Sequence, residues 1–191
     1  MSRSALRLGV LVSGRGSNLE AILDAGIEVV LVISNRPGVR ALEVAERFGV
    51  RSVVLPRADF ADTDARDEAI GQALADAGAT VCLLAGYDRL LRPSFFAAFR
   101  GRTINIHPSL LPSHGGPGMI GLAVHRSVLA AGDDETGATI HEVTEDLDSG
   151  RILAQSRVPV LRGDTAERLA ARVLDEEHRL LVATLREIAG R

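Results

Sequence analysis

Asn105 and His107 stand two residues apart in INIHPSLLPSHGGPGMIG, residues 104–121. In a strand, residues i and i+2 share a face, so this amide and imidazole can meet one substrate atom. The amide can donate a hydrogen bond to an oxygen that gains negative charge, and the imidazole can carry a proton near neutral pH. Together they suit acyl transfer to an amine, in which a tetrahedral intermediate forms and protons are moved. A carboxylate beside such a histidine orients it and favours its protonated form. Asp148, in the turn EDLDSG, is the residue on offer. A plainer role fits the same residues: Asn105 and His107 hydrogen-bond the glycine-rich loop that follows, and Asp148 caps its turn.

A second set lies in LVSGRGSNLEAI. Gly14 and Gly16 allow close approach of the backbone to a ligand. Ser17 and Asn18 add side-chain donors, and the start of a helix favours an anion. A phosphate suits this loop. A dinucleotide fingerprint would place a third glycine where Leu19 stands and an acidic residue at the end of the second strand. The chain has Ser34, Asn35 and Arg36 there. Arg36 could face a 2′-phosphate, which leaves an NADP reductase open, as is a tight turn without a ligand.

These residues need a scaffold that brings strand ends together. Short apolar runs at residues 6–13, 29–34, 53–55, 81–86 and 102–107 alternate with helical patterns, including 63–77 and a segment opened by Pro93. That alternation predicts an α/β fold: a Rossmann-like, mostly parallel sheet with helices on both faces. GATIHEVT and RILAQSRVPV predict an antiparallel C-terminal strand pair at its edge. Residues 164–189 predict a long helix, with Asp164 and Glu167 as its capping box. In an open parallel sheet, ligands bind beyond the carboxyl ends of the strands, where Gly16 and His107 both fall.

The whole chain narrows the classes. Its 191 residues favour one domain over 1–191, and 46% hydrophobic content can fill a core. A net charge of -3 argues against a nucleic-acid binder that relies on overall basicity. Cys82, alone among apolar neighbours in VCLLAGY, reads as a core thiol rather than a nucleophile. No apolar stretch reaches the roughly 18 residues of a membrane span, and the N-terminal run reads as a strand rather than a signal peptide. A cytoplasmic enzyme or binding domain is the expectation. His125 and His178 read as structural. His141, on a strand, could support Asp148 or Asn105, or simply pack. Zinc held by His107, His141 and Asp148 would lack the close ligand pair such sites use.

The segments SGRGSNLEAI, LAGYDRLL, INIHPSLLP, GATIHEVTEDLDSGRILAQ and LDEEH resemble the phosphoribosylglycinamide formyltransferase family, folate-dependent enzymes of purine biosynthesis. The likeness covers nearly the whole chain, in order. NIHPSLLP and LDSG are shared with other formyltetrahydrofolate-using enzymes, and the GSN loop points to the glycinamide ribonucleotide branch. The resemblance implies formyl transfer from 10-formyltetrahydrofolate to glycinamide ribonucleotide, without a metal or a covalent acyl-enzyme. It implies small-molecule partners, no nucleic acid or membrane, and a monomer or homodimer.

Carried over by position, the resemblance assigns the substrate phosphate to Gly16, Ser17 and Asn18, and the ribose to Glu177. Asp88, Arg89, Leu90 and Leu91 would line the pterin pocket together with Asn105, and residues 143–148 would close it. Asn105 would stabilise the oxyanion, His107 would be the general acid, and Asp148 would raise the His107 pKa. Two departures stand out. Residues 113–124 are longer than the family's usual turn, and their glycines imply mobility or close backbone approach to the substrate. Thr63 stands where the family often has an arginine for the folate tail, with Arg66 three residues on, so that contact is unassigned.

Overall fold

A computed structural model describes residues 6–144 and 148–190. The chain divides into two compact units: the part up to Ile104 together with the residues from Arg186 on, and Asn105–Leu185.

In the first unit, β1 (Leu8–Val12) is buried at every position. A continuous apolar run, rather than an alternating one, is what a strand covered on both faces requires. β1 pairs in parallel with β2 (Val29–Ser34) on one side and β4 (Val81–Leu84) on the other, and β2 pairs in parallel with β3 (Ser52–Val54). Val10 thus sits opposite Val32 and Leu83. The helices α1 (Ser17–Asp24), α2 (Arg40–Arg47), α3 (Thr63–Asp76) and α4 (Pro93–Ala98) follow the strands in turn. Asp62 caps α3 by accepting from the Ala65 N–H at 2.8 Å, and Gly78 follows its end at φ 68°. Pro93 opens α4, where its missing N–H costs nothing.

β5 (Arg102–His107) begins in the first unit and ends in the second. The second unit continues with α5 (Leu122–Ala131), β6 (Glu135–Glu142) and β7 (Ile152–Pro159). β6 and β7 are antiparallel, with Thr139 opposite Gln155 and a register shift between Ile140 and His141. The mostly parallel α/β sheet and its antiparallel C-terminal pair therefore match the expectation.

The last helix, α6 (Ala166–Gly190), buries Leu169, Val173, Glu177 and Leu181 along one stripe. Leu169 and Val173 pack with Val128 and Val158. Its cap differs from the expected capping box. The Arg168 N–H donates to Thr165 Oγ1 at 3.3 Å, so Thr165 is the cap. Asp164 lies one residue too early; it accepts from the Leu161 N–H at 2.8 Å and pairs with Arg172.

Candidate functional site

In the second unit, β5 delivers Asn105 half-buried and His107 buried. The β6 residue His141 meets Asn105: Asn105 Nδ2 lies 3.0 Å from His141 Nε2. The other ring nitrogen, Nδ1, lies 2.9 Å from the Glu142 carbonyl oxygen. A carbonyl only accepts, so His141 Nδ1 carries the proton and Nε2 accepts from the Asn105 amide. Burial lowers the His141 pKa and outweighs the Glu142 carbonyl and the Asp148 carboxylate, whose Oδ1 lies 3.5 Å from Nε2. The imidazole is therefore neutral near pH 7, as the hydrogen bond demands. Held this way, the Asn105 amide keeps its second N–H for an incoming oxygen.

His107 Nε2 lies 2.9 Å from the His114 carbonyl oxygen and so donates to it. Its Nδ1 faces Asp148 Oδ2 at 3.8 Å. Asp148 is itself held by the Gly116 N–H, which donates to Oδ2 at 2.9 Å. The loop after His107 is tied to β6 and β7. Thr139 Oγ1 donates to the Ser109 carbonyl at 2.6 Å and accepts from the Leu111 N–H at 3.0 Å. Gln155 Nε2 donates to the Leu111 carbonyl at 2.9 Å. Within residues 113–124, the Ser113 carbonyl accepts from Ser109 Oγ at 2.6 Å and the Gly116 N–H is held by Asp148, so the start of the extended loop is anchored. Residues 145–147, within the stretch expected to close the folate pocket, lie outside the described residues.

The structure thus links Asn105 to His141, His141 to Asp148 and Asp148 to His107 in one chain of contacts. His125 is buried with Nδ1 unpartnered among the described residues. Burial, aided by the charge of His107, lowers its pKa. His125, expected above to be structural, is a lone histidine on a helix and carries no spacing signal. Two buried neutral imidazoles have a consequence for stability. The unfolded chain binds their protons at about pH 6.5, before the folded chain does. Stability should be full above that pH and fall as pH drops through it. His141→Gln should flatten the fall in a urea titration across pH; an unchanged slope would contradict the neutral assignment.

Glu177 lies in the buried stripe of α6, where a carboxylate needs polar partners. No group of three or more His, Cys, Asp or Glu placed to hold a metal ion is found among the described residues.

In the first unit, Gly16 is the N-cap of α1 at φ 75°, and no side chain caps the helix. A Cβ there would lie 2.7 Å from Ala41 Cα, so both conformation and space demand glycine. The uncapped first turn leaves backbone N–H groups for an anion. Ser17 opens the helix, and Asn18 is buried with Oδ1 unpartnered among the described residues. Glu20 pairs with Arg40 at 2.9 Å and with Arg47, fastening α1 to α2.

Asp88 is fixed by the ends of the strands. Its Oδ1 accepts from Asn35 Nδ2 at 2.8 Å, Arg36 pairs with it, and its N–H donates to Ser13 Oγ at 3.0 Å. Arg36, weighed above for a 2′-phosphate, is thus engaged by a carboxylate. Ser34 Oγ donates to the Arg36 carbonyl at 2.7 Å. Leu91 is buried and Leu90 exposed. Arg89 and Leu90 line a cavity of about 370 Å³ with Arg57, Thr63, Arg66 and Arg92. Arg66 is not free there: its guanidinium is buried on Asp67, with Nε 2.8 Å from Oδ1. Arg57 and Arg92 went unassigned in the sequence, where single arginines before two helices look like ordinary surface. Tyr87 is pushed up to about 12 by burial, which removes it as an acid or base near neutrality. Burial also raises the Cys82 pKa, consistent with a core thiol.

The formyl transferase family model matches residues 6–185. The trifunctional purine biosynthetic protein adenosine-3 of Drosophila pseudoobscura pseudoobscura is 42% identical over 186 residues, 93% of this chain. The chain spans 13% of that relative's length. The chloroplastic phosphoribosylglycinamide formyltransferase of Arabidopsis thaliana is 42% identical over 183 residues, covering 92% of this chain and 63% of its own. The crystal structure of glycinamide ribonucleotide transformylase 1 from Symbiobacterium toebii matches with a TM-score of 0.91 at 41% identity, covering 97% of this chain and 88% of that one.

Proposed function

We infer a reaction from one premise: the chain belongs to the formyl transferase family. It transfers the formyl group of 10-formyltetrahydrofolate to the amino group of glycinamide ribonucleotide. The products are formylglycinamide ribonucleotide and tetrahydrofolate. The observation that carries this reading is the pairing at the end of β5, where an oriented amide donor stands two residues from a histidine whose Nδ1 faces a carboxylate.

In this reading the acceptor amine attacks the formyl carbon and the carbonyl oxygen becomes an oxyanion. The free N–H of Asn105 donates to that oxygen, and His141 holds the amide in place. The carbon–nitrogen bond to folate then breaks. One proton leaves the attacking amine and one reaches the departing nitrogen, with His107 as the proton carrier and Asp148 balancing its charge. The ribonucleotide phosphate sits on Gly16, Ser17 and Asn18, and the ribose on Glu177. Asp88, Arg89, Leu90 and Leu91 line the pterin side, with Asn105 at the reacting end. The guanidinium groups of Arg57, Arg89 and Arg92 suit the carboxylates of a folate tail.

The same reading treats 1–191 as one formyltransferase domain, supported by a family match that runs through both compact units. It places the protein in the cytoplasm, as a monomer or homodimer that works on small molecules, without metal, nucleic acid or membrane. No helix among the described residues is long and apolar enough to cross a membrane.

Ser17→Ala and Asn18→Ala test the phosphate assignment. Each should raise KM for the ribonucleotide by about 10-fold, the loss of one charge-assisted hydrogen bond, with KM for the folate unmoved. Initial rates with each substrate varied in turn give both constants. A change confined to the folate constant would reverse the two half-sites. Mass analysis of the product should show a formylated ribonucleotide; an unmodified ribonucleotide would remove the reaction.

A further inference from the structure

We propose that His114 is a positioning residue for His107, and that Ser127 and Asp133 form the clasp that holds it. His114 Nε2 lies 2.6 Å from Asp133 Oδ2, and Nδ1 lies 2.8 Å from Ser127 Oγ. Both ring nitrogens are engaged, and the side chain is only 13% exposed. An ordinary loop histidine has no such pair of partners.

The backbone explains why a clasp is needed. His114 sits at φ 54°, and Asp148 at φ 52°; they are the two non-glycine residues with positive φ among the described residues. That conformation is unfavourable for an L-residue, so it persists where surrounding contacts hold it. Both of these residues touch His107. One turns its carbonyl to Nε2 at 2.9 Å, and the other turns its carboxylate to Nδ1 at 3.8 Å.

The carbonyl of His114 decides which nitrogen of His107 does the chemistry. It can only accept, so it keeps a proton on Nε2 in every charge state. The exchangeable proton is therefore the one on Nδ1, on the edge that faces Asp148. Nδ1 is bare in the neutral ring and can take a proton from the attacking amine. Protonated, it can return that proton to the departing nitrogen. The clasp thus acts through the backbone to fix the His107 tautomer.

The rate effect of the clasp rests on the formyl-transfer reading, whereas the tautomer is a property of the protein alone. His114→Gly is the sharpest variant, because glycine adopts φ 54° without strain while the clasp is lost. Asp133→Ala and Ser127→Ala break it from the other side, at half-buried positions. Heteronuclear NMR of histidine-labelled protein reads the tautomer directly on the neutral ring. In the unsubstituted protein, His107 should be a single Nε2–H tautomer, and each variant should mix the two. Turnover in the formylation assay should drop by about 10- to 10²-fold through misplacement of the proton carrier, with both KM values unchanged. His107 keeping its Nε2–H tautomer in all three folded variants would overturn the clasp. If the unsubstituted protein formylates nothing while its tautomer still responds to the variants, the clasp stands and the reaction assignment falls.

Discussion

His107→Ala is expected to lower turnover by about 10²- to 10⁴-fold, the usual weight of a positioned general acid or base, in a protein that remains folded. The fold should survive because, among the described residues, His107 makes one close protein hydrogen bond, to the His114 carbonyl at 2.9 Å. Losing it costs about 0.5–1.5 kcal/mol, since the His114 carbonyl still accepts from Ser109 Oγ at 3.5 Å. A domain of this kind is stable by about 5–15 kcal/mol, so most molecules stay native. The loss in rate has a different origin. With alanine there, the proton of the attacking amine and the proton for the departing nitrogen have no carrier between Asp148 and the reacting carbon. Asn105 remains, still oriented by His141, so residual activity above solution should persist. KM should change little, since the imidazole handles protons rather than substrate binding. Steady-state kinetics beside a circular dichroism spectrum decides it. A folded variant with near-full turnover would remove His107 from the chemistry.

Asp67→Ala is expected to cost about 3–5 kcal/mol of stability, the penalty for stranding a buried charge. Arg66 and Asp67 lie in α3 at 3% and 0% side-chain exposure. Asp67 Oδ1 accepts from Arg66 Nε at 2.8 Å and Nη2 at 2.5 Å, and Oδ2 accepts from the Arg92 N–H at 2.8 Å. Removing the carboxylate leaves a guanidinium in the interior and a backbone donor at the start of α4 without its acceptor. Replacing both partners, with Arg66→Met and Asp67→Leu, should cost less than Asp67→Ala alone, because no charge is then left buried. Urea unfolding of the single and double variants measures both. A loss below about 1 kcal/mol for Asp67→Ala would place the pair with ordinary surface ion pairs.

How far the sequence could be read depends on what each residue does. β1, β2 and β4 announce themselves as short apolar runs, since both faces of a parallel sheet are covered. Pro93 marks the start of α4 because proline tolerates the first helical turn. The cap of α6 lies one residue beyond the expected capping box, as Asp164 and Thr165 are both acceptable caps and the bonds of Asp164 to Leu161 and Arg172 leave Thr165 for the helix. Asn105 and His107 could be paired from spacing alone, because a strand repeats every two residues. The ties from Asn105 to His141 and from His107 to Asp148 join residues far apart in the chain, and periodicity carries no information on them. His114 was harder still. It acts through its carbonyl, which every residue has, and its positive φ is not signalled by a glycine. Arg66, three residues from Thr63, carries no assignment from the sequence, and its burial against the adjacent Asp67 is a contact that neighbouring helix positions rarely make.

The most direct test of formyl transfer mixes the purified protein with 10-formyltetrahydrofolate and follows release of the deformylated folate spectroscopically, with and without glycinamide ribonucleotide. Release should require the ribonucleotide and consume the two in equal amounts. Equal release in its absence would contradict the account and make water the acceptor, and no release by folded protein with both substrates present would contradict it outright.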